Sequence, residues 1–261
     1  MIKLIISDMD GCLLNDKKEI PHDMYEIIDA LAEKQIAFAI ASGRQVENIQ
    51  EKFTPYVDSM YFLGENGSIV KHGKKTIYES ILVPEDVKLL VETIRSMEGV
   101  YPIVCGSSGA YYDSEVPIVY DKAKFFYANL FKVDDILQVT ENISKIAIVD
   151  TINPETNIYP KLQPYADRFQ IACSGDVWVD INNLGENKGR AVAQLQNILG
   201  VSREETMVFG DFLNDLAMME QADYSYAMIN GHPQLKETAR YITELDNNHE
   251  GVTHTIKKYL K

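Results

Sequence analysis

Cysteine and histidine are scarce in this chain of 261 residues. The three cysteines, Cys12, Cys105 and Cys173, are odd in number, far apart and without metal-ligand spacing. That pattern argues against a disulfide framework or a zinc site, and it predicts reduced thiols in a cytoplasmic protein. The five histidines show no paired helical spacing, so we expect them on the surface or in loops. They are His22, His72, His232, His249 and His254.

Positive charge and long apolar runs are also in short supply. The chain has 25 Lys and Arg against 39 Asp and Glu, a formal net charge of -14. Because such a field repels phosphate backbones and anionic headgroups, we expect neither a nucleic-acid nor a membrane partner. A phosphorylated small molecule would need cationic side chains close to its binding site. No apolar run approaches the length of a membrane span, and the first residues lead into a strand pattern without a signal peptide.

The chain is long enough, and with 46% hydrophobic residues apolar enough, for one large domain or two smaller ones. Near its start an apolar run ends in Asp8 and Asp10, followed by a turn at Gly11. In open α/β sheets ligands bind beyond the carboxyl ends of the strands, where these two acids are predicted to lie. Two carboxylates so close are tolerated best when they share a cation or a proton. Taken alone, they are more typical of ordinary strand-end and turn acids.

A β-α-β pattern follows, with a helix over residues 21–31 and a strand over residues 36–41. That strand ends at Ser42-Gly43-Arg44, where a hydroxyl and free backbone N–H groups before a helix form an anion site, although Ser42 also suits a plain N-cap. A third strand, residues 60–63, precedes Asn66, which is either a site residue or part of an Asn-Gly turn. Residues 68–79 read as a hairpin.

From residue 83 the pattern changes to short tyrosine-rich strands, and the α/β rhythm returns at about residue 187. The predicted fold class is therefore α/β. A Rossmann-like parallel-sheet core with helices on both faces is formed by residues 1–82 and 185–261. An α+β cap domain with an antiparallel sheet is inserted as residues 83–184.

A second acidic loop, with Asp211 and Asp215, follows another apolar strand and is predicted to reach the same sheet edge as Asp8. Three carboxylates there form a hard oxygen site that suits magnesium, while helix N-caps are the simpler alternative. Lys188 lies at a predicted helix start, where its charge opposes the helix dipole unless an anion compensates. A solvated lysine after an Asn187 cap is the other possibility.

These patches occur in the order D-M-D-G-C-L, A-S-G-R, N-K-G and G-D-F-L-N-D, with the insertion between the second and third. In that order they resemble the haloacid dehalogenase-like superfamily, in particular its Cof-type branch of sugar-phosphate phosphatases with a type IIB cap. The resemblance covers nearly the whole chain. Two positions depart from it: Cys12 replaces the usual threonine of the first motif, and Ile229 replaces a glycine of the closing segment.

The resemblance implies that Asp8 is the nucleophile and that Asp10 is the general acid and base. It implies Mg²⁺ held by the Asp8 carboxylate, the Asp10 backbone carbonyl and Asp211, with Asp215 orienting a metal-bound water. The residues implied to bind phosphate are Met9, Ser42, Gly43, Lys188 and Asn214. Those implied to face the leaving group are Arg44, Asn66 and the cap residues Trp178 and Asp180, although Trp178 is also typical of a core residue.

The predicted function is that of a magnesium-dependent phosphatase acting on small phosphorylated metabolites, with sugar phosphates as the expected class. A phosphomutase or phosphotransferase would use the same Asp8, and no residue separates the two. A non-catalytic sensor of phosphorylated metabolites is the third possibility. The full set of acids together with Lys188 argues against it, because a pure binder gains little from a carboxylate aimed at phosphorus.

Overall fold

The computed structural model describes residues 1–106 and 108–260, and these contain two β-sheets. The strands are β1 (Leu4–Asp8), β2 (Ala37–Ala41), β3 (Tyr61–Gly64), β4 (Ile69–His72), β5 (Lys75–Glu79), β6 (Val100–Gly106), β7 (Ala110–Tyr112), β8 (Leu130–Lys132), β9 (Ile143–Asp150), β10 (Phe169–Gly175), β11 (Trp178–Asn183), β12 (Thr206–Gly210), β13 (Tyr224–Ala227) and β14 (Tyr241–Ile242). The α-helices are α1 (Met24–Glu33), α2 (Val46–Lys52), α3 (Pro84–Arg95), α4 (Pro117–Ala123), α5 (Ile158–Leu162), α6 (Lys188–Leu199), α7 (Leu216–Met219), α8 (Pro233–Thr238) and α9 (Gly251–Leu260). Short 3-10 helices include Glu65–Gly67 and Leu213–Asp215.

The first sheet has eight strands in the order β14-β13-β12-β1-β2-β3-β4-β5. Neighbouring strands from β14 to β3 are parallel, and β4 and β5 extend the sheet as an antiparallel hairpin. In the parallel register Asp8 lies opposite Ala41, and Ser7 lies opposite Phe209. The loops after β1, β2 and β12 therefore leave the sheet at the same edge, as predicted, and the predicted hairpin is also confirmed.

Helices cover both faces of this sheet, because its central strands are apolar on both sides. Ile5 of β1 packs with residues of α1, α2 and α9, whereas Leu4 and Ile6 pack on the opposite face with residues of α6, α7 and α8. Each helix turns an apolar stripe towards the sheet at the spacing of an amphipathic helix. In α1 the buried residues are those of the predicted stripe, Met24, Ile27, Ile28 and Leu31.

The second sheet has six strands in the order β10-β11-β9-β6-β7-β8, all from residues 100–183. One of its faces packs against α3 and α5, and the other carries Trp178, Tyr127 and Val119. Its pairs are antiparallel, with one exception: β7 and β8 are parallel. The prediction of an antiparallel sheet was wrong for that pair, because α4 crosses between the two strands and returns the chain in the same direction.

Two short segments, residues 80–83 and 184–187, join the sheets, and Asn183, just before the second segment, contacts the first. The Asn183 amide donates to the Ser80 hydroxyl at 2.9 Å and to the Ile81 carbonyl at 2.8 Å. The predicted domain boundaries, after residues 82 and 184, fall in these segments. The separate sheets support that division into core and cap, which stays a prediction.

Each of the five histidines is exposed or half-buried, and all three cysteines are free thiols, in line with the expectations from the sequence. Among the described residues no helix combines the length and the apolar composition that a membrane span requires.

Candidate active site

The candidate site lies at the carboxyl edge of the first sheet, where the loops after β1, β2, β3 and β12 meet the start of α6. Carboxylate oxygens of Asp8, Asp211 and Asp215 lie within 4.8 Å of one another, which brings together the acids of the first and last motifs. Asp10 is not part of this cluster and pairs with Arg44 and Lys18. Between the cluster and the second sheet lies a cavity of about 540 Å³.

Lys188 is buried against this carboxylate cluster. Its ammonium group is 2.5 Å from Asp8 Oδ1 and 2.7 Å from Asp215 Oδ1, and the residue is only 1% exposed. Asn187 caps α6 by accepting a hydrogen bond from the Arg190 N–H, so Lys188 is the first residue of that helix. The alternative of a solvated lysine is therefore excluded, and the required anions are the two aspartates.

Asp215 has a structural role beside its place in the cluster. Its Oδ2 accepts hydrogen bonds from the backbone N–H groups of Asp211 (2.9 Å) and Phe212 (3.2 Å), and it is completely buried. The N-cap interpretation of this acid thus describes part of what it does. By closing the loop on itself, Asp215 holds the Asp211 side chain towards Asp8.

Burial and mutual repulsion disfavour the ionised forms of two of these acids when no cation is bound. Burial raises the pKa of Asp8 from 3.8 to about 7, with a further increase from Asp215, while Lys188 opposes the change. Burial and the neighbouring Asp8 raise the pKa of Asp211 to about 9. A cation bound between these carboxylates would stabilise their ionised forms and so lower the pKa of both acids.

The donor set fits magnesium, which prefers a few carboxylate oxygens and keeps several waters. The carboxylates of Asp8 and Asp211 converge, and the backbone at Gly11 leaves room for the Asp211 side chain. Gly11 has a left-handed backbone (φ 76°), and a Cβ at this position would clash with the Asp211 carboxylate. Glycine is therefore required here by both its conformation and the close approach of Asp211.

Asp10 forms a separate cluster with two cations. Arg44 donates to both of its carboxylate oxygens, at 2.6 and 2.7 Å, and Lys18 donates to Oδ1 at 2.8 Å. Burial raises the pKa of Asp10, but the hydrogen bonds from Arg44 and then Lys18 outweigh burial and lower it. Asp10 is consequently held as a carboxylate.

Arg44 also connects this edge to the second sheet. Its remaining nitrogen, Nη1, donates to Asn48 at 2.7 Å and to the Phe125 carbonyl at 3.2 Å, and the guanidinium lies 5.3 Å from the ring centre of Phe126. Arg44 lines the cavity between the sheets, as a leaving-group contact would.

The remaining residues predicted to bind phosphate lie around the same edge. Ser42 is buried, and its hydroxyl accepts the Arg44 N–H at 3.1 Å. It is not an N-cap, because α2 begins only at Val46, after Gln45. Ser42, Gly43 and Asn214 line the cavity, whereas Met9 and Lys188 are buried beside it and do not.

Asn66 lies behind the cavity wall. Its backbone is left-handed (φ 56°), its amide donates to Asp180 at 2.5 Å, and its carbonyl oxygen accepts from Asn214 at 3.2 Å. Asp180 and Trp178 do line the cavity. Trp178 is 7% exposed and packs edge-on against Phe126 and Tyr127, as a core residue would, and its contact with a leaving group stays a prediction.

The sequence analysis missed Lys18, Lys145 and Glu65. Lys18 follows the first motif closely, and a lysine in an otherwise acidic chain was a signal that could have identified it. Lys145 and Glu65 had no such signal, because their pairing across the two sheets depends on tertiary structure. Their ionised groups lie 2.5 Å apart and are fully buried.

The two departures from the family pattern are structurally mild. Cys12 is buried with its sulfur 3.6 Å from the Ser7 hydroxyl, and burial raises the pKa of its thiol, so it is an unreactive side chain. Ile229 is exposed, and its backbone N–H donates to the Thr243 hydroxyl at 3.0 Å.

Comparison with known proteins agrees with the fold. The family model of haloacid dehalogenase-like hydrolases matches residues 5–256. A 5-amino-6-(5-phospho-D-ribitylamino)uracil phosphatase of Escherichia coli K12 is 30% identical over 270 residues, covering 100% of this chain and 97% of that protein. A phosphatase of the same name from Bacillus subtilis 168 is 28% identical and covers 99% of this chain and 96% of its own length. The crystal structure of a protein from Streptococcus mutans UA159 has a TM-score of 0.94 at 27% identity, covering 100% of this chain and 99% of its own.

The chain therefore belongs to the haloacid dehalogenase-like hydrolase family. Within that family it is a phosphatase, a phosphoric monoester hydrolase of the Cof type, which confirms the resemblance stated from its motifs.

The raised pKa values predict how the metal-free protein responds to pH. Below pH 3.8 both Asp8 and Asp211 are protonated whether the chain is folded or not. As pH rises, the unfolded chain releases two protons that the folded protein retains up to about pH 7 and 9, so stability falls across this window. We expect the melting temperature in EDTA to drop by about 5 °C more between pH 6 and 9 than it does with magnesium. Thermal unfolding followed by circular dichroism measures this difference, and equal drops in the two buffers would contradict it.

Proposed function

We propose that the protein is a magnesium-dependent phosphatase that hydrolyses small phosphorylated metabolites through a phosphorylated Asp8. The observation that carries this proposal is the position of Asp8: it ends the central strand β1, faces the cavity, and is held from behind by Lys188 at 2.5 Å. A carboxylate fixed in this way beside a cavity is positioned to act as a nucleophile.

The reaction proceeds in two displacements. An Asp8 oxygen attacks phosphorus, the bond to the ester oxygen breaks, and the leaving alkoxide takes a proton from Asp10. A water molecule then gives a proton to Asp10 and attacks the same phosphorus, which releases phosphate and regenerates Asp8. The hydrogen bonds from Arg44 and Lys18 favour ionised Asp10, the form that accepts a proton in the second step, whereas the first step starts from Asp10 carrying the proton that it gives to the leaving group.

The phosphoryl group would rest on donors from three loops. We assign the Met9 and Gly43 N–H groups, the Ser42 hydroxyl and the Asn214 amide to its oxygens. Lys188 favours the ionised form of Asp8, and its charge lies close enough to act on the phosphoryl group through Asp8.

Magnesium would be held by the Asp8 carboxylate, the Asp10 backbone carbonyl and Asp211, whose oxygens converge with those of Asp8. When bound, it neutralises negative charge on the phosphoryl oxygens. Asp215 keeps Asp211 in place through the two backbone hydrogen bonds that close their loop.

The leaving group would occupy the cavity of about 540 Å³ between the sheets, a volume that suits a small metabolite. Sugar phosphates are the substrate class that the sequence predicts, and polar lining residues such as Asp180 and Arg44 support it. The substrate named for the two relatives joins a phosphorylated sugar alcohol to a pyrimidine ring. Phe125, Phe126 and Trp178 in the lining offer flat surfaces for such a ring, so this compound belongs in the first test.

A cytoplasmic location, and the absence of nucleic-acid and membrane partners, stay predictions from the charge and the cysteine content of the sequence.

The test is phosphate release from an aryl phosphate, a panel of hexose and pentose phosphates, and the ribitylaminouracil phosphate of the relatives. With magnesium we expect turnover on part of the panel, and with EDTA a loss of at least about 100-fold, because charge neutralisation contributes several kcal/mol. Added magnesium should restore the rate. Binding of these esters without any release of phosphate would point to a sensor, and turnover that requires a sugar bisphosphate would point to a phosphomutase.

A further inference from the structure

A lysine of the second sheet reaches into the phosphate loop of the first. Lys145 lies on β9, and its ammonium group donates to the Gly43 carbonyl at 2.8 Å and lies 2.5 Å from Glu65 Oε2. Gly43 and Glu65 belong to the loops after β2 and β3. Lys145 and Glu65 are 1% and 0% exposed, so the contact excludes water.

A second acid of the same sheet completes the cluster. Asp180 of β11 lies opposite Ala147 in the register of the sheet, so it shares a face with Lys145, and the two groups are 3.6 Å apart. Its other oxygen accepts the Asn66 amide, which in turn holds Asn214. Two of the three loops that contribute phosphate donors, those of Gly43 and Asn214, are therefore tied to this one face of the second sheet.

Lys145 and Asp180 both belong to the second sheet, and the cluster gains the Glu65 carboxyl group only when the two sheets meet. Burial lowers the pKa of Lys145, but Asp180 and Glu65 outweigh burial and raise it, so the ammonium stays charged. Separating the sheets would return Glu65 and the Lys145–Asp180 pair to water, and the desolvation that burial costs these ions offsets much of their mutual attraction. Such a cluster allows the two sheets to separate and meet again, whereas an apolar contact of the same area would oppose their separation.

We propose that Lys145 is a positioning residue that makes phosphoryl transfer depend on closure of the cap. In the closed arrangement it fixes the Gly43 loop, and through Asp180 and Asn66 it fixes Asn214. When the second sheet moves away, both sets of phosphate donors lose their support. This inference rests on the proposed function for its catalytic part, while its conformational part can be tested separately.

Lys145→Met tests the proposal, with Lys132→Met as the matched control. Lys132 is also a lysine of the second sheet in an ion pair, with Glu115 at 2.6 Å, but it is exposed and does not line the cavity between the sheets. Per folded molecule, we expect Lys145→Met to lower kcat and kcat/KM by about tenfold to a hundredfold, since misplaced binding groups act on the transition state. Lys132→Met should stay within about twofold of the parent. A purely structural role would lower the folded fraction and leave kcat per folded molecule unchanged.

Trp178, the single tryptophan of the chain, gives an independent readout. It is 7% exposed in the wall that faces the first sheet. We expect its fluorescence to shift to the red and to be quenched more strongly by acrylamide in folded Lys145→Met, but not in Lys132→Met. If the parent releases no phosphate, the proposed function fails, and the quenching comparison still decides whether Lys145 holds the sheets together.

Removing Lys145 leaves two buried acids without their cation, so Lys145→Met could fail to fold. Lys145→Met combined with Glu65→Gln removes the pair together and serves as the second variant, for which the same losses are expected. Folded variants with parental kcat and a parental Trp178 environment would overturn the proposal.

Discussion

Asp8→Asn is expected to lower turnover by at least about a thousandfold, because the amide is a poor nucleophile and the covalent step is lost. The change is nearly isosteric, and it removes one of the charges that repel each other in the metal-free cluster. We therefore expect the variant to fold at least as stably as the parent when magnesium is absent. Phosphate release with the best substrate of the panel measures the loss.

Asp16→Asn is the matched control for this variant. Asp16 lies in the same loop, is exposed, and pairs only with Asn247, Asn248 and local groups, away from the carboxylate cluster. It should retain turnover within about twofold of the parent. An Asp8→Asn protein that keeps a tenth or more of the parental rate would show that Asp8 does not carry the reaction.

Lys188→Met is expected to have the second largest effect, through both stability and rate. The ammonium group is the only cation within hydrogen-bond reach of Asp8 among the described residues. Its removal leaves Asp8 and Asp215 buried without their cation, which costs about 3–5 kcal/mol of stability. Loss of its charge next to the reacting phosphoryl group should lower kcat by about 100-fold or more.

Two further variants separate these effects. Lys188→Met with Asp215→Asn removes one unpaired charge, so we expect it to recover part of the lost stability without recovering the rate. Lys71→Met removes a half-buried lysine that pairs with Glu47 at 2.6 Å, outside the cavity lining, and should leave kcat unchanged. Melting temperatures and kcat values of the three proteins test this, and a parental kcat in Lys188→Met would contradict the role given to Lys188.

The positions of Asp8, Ser42 and Asp211 were predictable because the sequence shows where apolar strands end. Apolar runs that stop at Asp8, Ser42 and Asp211 place these residues at one edge once the strands are parallel, and the register of β1, β2 and β12 confirms this. Lys188 was predictable for a different reason: its charge at a helix start is unfavourable without an anion, and the structure supplies two.

Pairings between the two sheets were not predictable from local pattern. Arg44 follows the second motif, but its bidentate contact with Asp10 and its bond to the Phe125 carbonyl depend on how loops distant in sequence meet. The pair of Lys145 and Glu65 is harder still to predict, because lysine and glutamate normally occupy solvent-exposed positions.

Short elements were the other limit. β14 has two residues, too few for a hydrophobic period to emerge. The parallel pairing of β7 with β8 follows from the path of α4, which a strand pattern alone does not encode.

The most direct test of the account is to trap the phosphoryl group on Asp8. In Asp10→Ala the water of the second step has no base, whereas an aryl phosphate has a leaving group that needs no proton, so the first displacement should proceed and the second should stall. After rapid acid quenching, peptide mass spectrometry should find one added phosphoryl group on the peptide that contains Asp8. Aryl alcohol released in a burst, with no phosphoryl group on this peptide or with one on another residue, would contradict the account.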